Sequence, residues 1–213
     1  FQEMANTWLK QTNFPVIDVT SKYFSDKCTI DIIQKKIKGK KPWEFPLDIA
    51  LIDKNGKVIS SIIKRVQGYK DKVIFDKVQK PEFISLNRDY SFYGKVNYKQ
   101  TLEELHKQLK LDNDLISKYM VFYKISEIEK VNLLKNPEIE VSNEFMDIYY
   151  EFLSNENLTD KTGSLMLLIT QSVEDQKYRY RYKELFKLKE KILKAIATKY
   201  KNKLLELYKK YEN

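Results

Sequence analysis

The hydrophobic period of the chain changes once, near residue 100, and that change limits the folds open to it. Before it, apolar residues recur at every second position, as in a strand with one buried face. After it, they recur every three or four, as in a helix with one buried stripe. So sharp a switch predicts two domains rather than one mixed layer. The expected architecture is a β + α multidomain chain: a small immunoglobulin-like β-sandwich over residues 1–99, then an all-α helical array over residues 100–213.

The clearest β element is a hairpin over 42–59. Leu47, Ile49 and Leu51 alternate, Asp53-Lys54-Asn55-Gly56 follows, and Val58-Ile59 opens a returning strand. Asn-Gly marks a tight turn because both residues tolerate positive φ. Pro46 lacks an N–H, which places it at the first residue of its strand or on an edge. From residue 5 onward the first half reads as β. Phe14 to Val19 is a short apolar run, and Cys28, Ile30 and Ile32 share one face of a strand over Lys27 to Gln34. Lys72 to Asp76, Pro81 to Leu86 and Phe92 to Tyr98 supply more. About seven short strands, spaced near ten residues apart, predict a small sandwich.

Thr101-Leu102-Glu103-Glu104 fits a capping box, and Leu102, Leu105 and Leu109 follow at helical spacing. A second helix is expected from Asp114, with Leu115, Tyr119, Met120 and Tyr123 on its inner side, and Pro137 interrupts beyond it. Ser142 caps a third helix whose face is Phe145, Ile148, Tyr149, Phe152 and Leu153. Asn155 to Thr162 is a turn, and Leu165, Leu168 and Ile169 mark a fourth helix. One long helix is expected from Lys183 to Tyr211, carrying Leu185, Leu188, Ile192, Ile196, Leu204 and Leu207.

Residues for chemistry are few. The single histidine, His106, cannot build a two-histidine zinc helix. It is expected to be solvated or hydrogen-bonded on the first helix. The single cysteine, Cys28, excludes an internal disulfide and reads as a core thiol. Five scattered glycines make no phosphate loop. Glu103-Glu104 and Glu127-Glu129 are expected to be solvated. No catalytic, metal or substrate-binding residue is assigned. No apolar run approaches the roughly 18 residues of a membrane-spanning helix, and no secretory leader is recognised, so a cytoplasmic location is expected.

The net charge is +9, but residues 177–210 alone hold 13 basic and 3 acidic residues, leaving the rest near neutral. Lys177-Tyr178-Arg179-Tyr180-Arg181-Tyr182-Lys183 interleaves cations with rings, a pattern that can hold single-stranded nucleic acid. The plainer expectation is a helix start with tyrosines packed inward and cations in water.

An ordered series of short motifs carries a resemblance. Trp8-Leu9-Lys10-Gln11-Thr12-Asn13-Phe14-Pro15-Val16-Ile17, then Ile33-Gln34, Pro42 and Phe45-Pro46-Leu47-Asp48-Ile49-Ala50-Leu51, resemble the segment after the catalytic domain in aminopeptidase N-type zinc peptidases. Phe75-Asp76-Lys77-Val78, Pro81 and Ile84-Ser85-Leu86-Asn87-Arg88-Asp89-Tyr90-Ser91 are similar to the next part of that run, and Asp112-Asn113-Asp114 to a turn between two helices. The chain departs from the family at Asn13, where glycine is usual, at Phe92-Tyr93-Gly94, and at Tyr119, where tryptophan is usual. The resemblance covers roughly residues 7–125 and is closest to the bacterial and protozoan alanyl aminopeptidases.

The resemblance implies a longer, four-domain enzyme that removes N-terminal amino acids from peptides with a catalytic zinc. This chain would supply its third domain, a spacer, and the first part of its fourth, a wall around the substrate chamber. The family's zinc ligands and glutamate base map onto no residue here, so this portion alone is expected to bind no zinc and to be inactive. Implied partners are peptides and the catalytic domain of the same polypeptide, with a monomeric state and neither membrane nor nucleic acid. The rival reading is a free-standing basic module for nucleic acid or an anionic surface, acting through Lys177 to Lys210.

Overall fold

Strand β3 (Phe45–Ile52) is the centre of the first half of the chain. Leu47, Ile49 and Leu51 are fully buried, as their alternation predicts, and so are Ala50 and Ile52 on the other face. The computed structural model describes residues 2–36, 41–154 and 173–211. Around β3 it sets β1 (Val16–Phe24), β2 (Lys27–Gln34), β4 (Val58–Val66), β5 (Lys70–Phe75), β6 (Phe83–Leu86) and β7 (Lys95–Tyr98). One sheet has the order β5-β2-β1-β7 and the other β4-β3-β6. All the pairings are antiparallel except β1 with β7. The two sheets share one core, in which Ile17, Cys28, Ile30 and Ile32 meet Phe45, Leu47, Ile49 and Leu51. This is the immunoglobulin-like sandwich the sequence predicts.

The hairpin turn is not the two-residue type that Asn-Gly favours. Gly56 donates to the Asp53 carbonyl at 3.0 Å and takes φ 80°, while Asn55 is not left-handed. This is a three-residue loop closed by a left-handed glycine. The Asp53 carboxylate holds it by accepting from the N–H groups of Asn55 and Lys57, both at 2.8 Å. A Cβ on Gly56 would also lie 2.6 Å from the Leu111 carbonyl oxygen, so space as well as φ requires glycine. Pro46 is the second residue of β3, and β6 pairs only with Ile49–Ile52, so no ladder partner lies on its outer side.

The N-terminus departs from the β reading. Gln2–Leu9 is a helix, α1. Its Trp8 packs against Trp43 with ring centroids 4.8 Å apart and donates from Nε1 to the Glu44 carbonyl at 2.9 Å. Tertiary contact, not intrinsic helicity, fixes so short a helix.

After Tyr98 the described elements are helical. They are α2 (Leu102–Leu111), α3 (Leu115–Lys135), α4 (Asn143–Ser154), α5 (Tyr182–Lys199) and α6 (Lys201–Tyr211). The Thr101–Glu104 capping box is present, with reciprocal bonds of 2.7 and 3.2 Å. Ser142 caps α4 through the Phe145 N–H. The inner side of α3 differs from expectation. Val121, Phe122, Ile125 and Leu133 are buried, whereas Met120 is exposed. The expected long terminal helix is two helices, because Tyr200 breaks it with φ −110° and ψ 19°. The fourth expected helix, at Leu165, Leu168 and Ile169, and the turn at 155–162 lie outside the described residues.

The chain divides into two compact units, Phe1–Lys118 and Tyr119–Asn213. This division falls later than the change of element type. Leu111 of α2 packs with Ala50, Ile52 and Phe83 on the outer side of β3, which holds α2 to the sandwich.

Candidate functional site

Both carboxylates of α3 accept from backbone N–H groups of later segments. Glu129 is buried, and its carboxylate accepts from the Ser142 N–H at 2.7 Å and the Ser142 hydroxyl at 3.1 Å. Glu127 accepts from the N–H groups of Glu174 and Asp175 at 2.7 and 3.2 Å. The expectation of a solvated pair is therefore corrected: each carboxylate satisfies N–H donors of a later segment. Lys130 is also buried, and burial lowers its pKa, opposed in part by the Glu127 carboxylate. Glu103 and Glu104 behave as expected of an exposed first turn, with Glu103 paired to Lys107 at 3.1 Å.

A polar network surrounds the turn after β6. Arg88 donates to the buried Asp112 at 3.2 Å and to Asn113 at 2.8 Å. Asp112 also accepts from Gln108 at 3.1 Å and from the Asp114 N–H at 3.1 Å. Asn87 Oδ1 accepts from the Ser91 hydroxyl and the Phe92 N–H, both at 3.0 Å. Asn87, Asp89 and Tyr90 all have left-handed φ, near 50°. That backbone is costly for tyrosine, and the surrounding bonds hold it. Burial raises the pKa of the neighbouring Asp48, while Arg88 opposes that shift. These side chains spend their bonds on one another and on backbone, which makes the network a lock between α2 and the sandwich.

His106 is half-buried on α2. Cys28 is buried, and desolvation pushes its thiol pKa up. Among the described residues, no three His, Cys, Asp or Glu side chains are grouped to hold a metal ion. No helix among them is long and apolar enough to cross a membrane.

In the second unit, the basic-aromatic segment is a turn over its first residues and the start of α5 at its last two, Tyr182 and Lys183, with Arg181 as N-cap. Only Tyr178 packs inward; Tyr180 and Tyr182 are exposed. Arg179 lies over the Tyr180 ring at 4.8 Å, and Arg181 over Tyr178 at 5.6 Å. The cations cover rings of their own segment. A second cluster forms at the α5–α6 break. The Asp147 carboxylate of α4 accepts from Lys199 Nζ and from the Tyr200 hydroxyl. Tyr200 stacks on Tyr150 at 4.3 Å, and Lys203 Nζ stands 5.0 Å over the Tyr150 ring. The Lys199 bond, then the Tyr200 bond, hold the Asp147 pKa below its ordinary value.

Residues 14–99 match the model of a family described as a domain of unknown function, DUF3458, with an Ig-like fold. That span is the sandwich from the start of β1 to the end of β7. Among curated proteins, none matches the sequence. Among solved structures, aminopeptidase A of Legionella pneumophila, crystallised in complex with aspartic acid, is similar over 96% of this chain, with a TM-score of 0.75 and 18% identity. At that identity the likeness is one of fold. The chain spans 24% of the length of that protein.

Proposed function

We propose that this chain is a non-catalytic portion of a zinc-dependent aminopeptidase that removes N-terminal amino acids from peptides. In this reading the sandwich is a spacer and the helices are part of the wall of a substrate chamber. The observation that carries it is the likeness to one aminopeptidase across both the sandwich and the helices, over 96% of the chain. The Ig-like family match over residues 14–99 supports it independently, as does the motif series from Trp8 to Ser91.

The donors among the described residues do not fit a catalytic zinc. The usual site takes three protein ligands and keeps one position open. Here the one histidine stands on α2, the one cysteine lies in the sandwich core, and no three donors are grouped among the described residues. No catalytic step is therefore assigned to any residue of this chain. In this reading the chain supplies surface, not chemistry.

The test is to isolate the native polypeptide from its source with an antibody to this chain. Its mass, its peptide map and its hydrolysis of alanyl-amide substrates, with and without a chelator, are then measured. The expected result is a polypeptide longer than 213 residues that contains a two-histidine helix motif with a downstream glutamate. Its activity should be lost on chelation and restored by zinc. A native polypeptide of this length with no such motif and no hydrolysis would overturn the reading.

A further inference from the structure

Helix α5 carries two apolar stripes, one buried and one exposed. Leu185, Leu188, Ile192 and Ile196 are buried. Tyr182, Phe186 and Leu193 are exposed, at 68%, 49% and 38%. At 3.6 residues per turn these three lie within about 40° of one another, roughly a quarter turn from the centre of the buried stripe. Lys189 falls on the same line and completes the steps of four, three and four. That spacing is the seam along which one helix packs against another. Lys183, Lys187 and Lys194 run along the side of the seam away from the buried stripe, with Glu190 among them. The surrounding residues 177–210 hold 13 basic and 3 acidic side chains.

We propose that this seam docks an amphipathic helix of a partner protein, one whose apolar stripe is flanked by aspartate and glutamate. Charge complementarity selects that occupant. A second copy of this chain would set lysine against lysine, and like-charge juxtaposition disfavours such a pair. A helix that lies in a lipid surface needs a broad apolar face, on the order of 100° or more. The seam is narrower, because the rest of the apolar circumference of α5 is buried in its own unit. A partner helix needs only the narrow seam and places its acids opposite the lysine edge. The inference goes beyond the aminopeptidase reading and does not depend on it.

The test uses the whole chain and a fluorescein-labelled probe peptide of four heptads. The probe has leucine at its two seam positions and glutamate at the flanks, which keeps it from self-association. Anisotropy is titrated at about 150 mM salt, a physiological ionic strength. Saturable binding is expected. Phe186→Ala combined with Leu193→Ala should weaken it about tenfold or more, and Lys187→Glu combined with Lys194→Glu should weaken it as well. Both pairs are exposed or lie at the seam edge, so the helical circular dichroism should not change. Ile128→Ala, an exposed site on α3, should leave binding unchanged. Absence of saturable binding, or binding that ignores the Phe186 and Leu193 changes, overturns the proposal. So does finding that these changes instead abolish self-association in sedimentation, binding to phosphatidylserine-containing vesicles, or binding to a single-stranded oligonucleotide.

Discussion

The two units bury their side chains by different means. In the first, the sheets fix the side chains before packing begins. Every residue from Leu47 to Ile52 except Asp48 is fully buried, and cross-strand registers leave one arrangement. Its polar groups are tied over long sequence distances. Gln34 Nε2, for example, donates to the carbonyls of Trp43 at 2.7 Å and Gly68 at 2.9 Å, and Gln34 Oε1 accepts from the Trp43 N–H at 3.0 Å. In the second unit α4 and α5 each bury one stripe, α6 buries no side chain among its described residues, and α5 leaves Tyr182, Phe186 and Leu193 exposed. Its polar ties run from side chain to helix terminus, as at Glu129 and Asp147. A strand acquires its neighbours through the ladder itself. A helix satisfies its own backbone and must find neighbours by surface chemistry alone.

The comparison is broken or sharpened first by equal truncations in the two cores. Phe45 is fully buried and stacks on Phe92 at 4.3 Å; Phe122 is buried beside Phe145, Tyr149 and Phe152. Burial alone predicts about 3–5 kcal/mol for each change to alanine. The part that differs is the cavity left behind. Strands held in register cannot close around a missing ring, whereas helices can shift toward it. Phe45→Ala should therefore fall near the top of that range and Phe122→Ala near the bottom. The only tryptophans, Trp8 and Trp43, both belong to the first unit. Tryptophan fluorescence thus follows unfolding of the first unit, while the far-UV helical signal is weighted to the second. Equal losses for the two variants would remove the distinction.

A smaller effect should come from Glu129→Ala. The change leaves the Ser142 N–H without its 2.7 Å acceptor and frees the hydroxyl that caps α4. The expected loss is about 1–2 kcal/mol, confined to the helical signal in denaturant titration. Glu129→Gln retains an acceptor oxygen and should lose less. A shift of the tryptophan midpoint as large as that of the helical signal would show that the two units do not unfold separately.

Much of the first unit was legible in the sequence, because alternation and turn chemistry are local. The strands, the need for glycine at 56 and the Thr101–Glu104 box could all be read from neighbours within a few positions. Helix α1 could not, because its cause is Trp8 meeting Trp43. The second face of β3 was also hidden, since Leu111 covers it from far along the chain. In the second unit, the stripes of α4 and α5 were legible from spacing. The role of Glu129 was not, because its partner lies 13 residues on. The break at Tyr200 carries neither proline nor glycine, and the groups that hold it belong to α4. The outward turn of Tyr180 and Tyr182 was missed for a related reason. Periodicity tells which residues share a face, but not how many faces find a neighbour.

The smallest effect should come from the α4 contact that holds this break, and pH exposes it. The Asp147 carboxylate has a folded pKa below its ordinary value, because it accepts from Lys199 and Tyr200. A depressed carboxylate contributes stability that is fully present above its unfolded pKa, about 3.9. That contribution is lost as pH falls through the folded pKa. The Lys199 pKa is raised by the same bond, and that of Tyr200 by burial first and then by the bond. Their contributions are present below their ordinary values and fade as pH rises through the raised ones. The cluster should thus be constant near neutrality and weaken at both extremes. Exposed ion pairs contribute little because solvent screens them, so Asp147→Asn should lower the helical midpoint only slightly at neutral pH. The informative quantity is the difference between the two proteins as pH falls from about 4 toward 2. It should shrink toward zero, because protonation removes from the wild type what the substitution has already removed. A difference that stays constant across that range would mean that Asp147 acts by packing alone, and that the α5–α6 break has another cause.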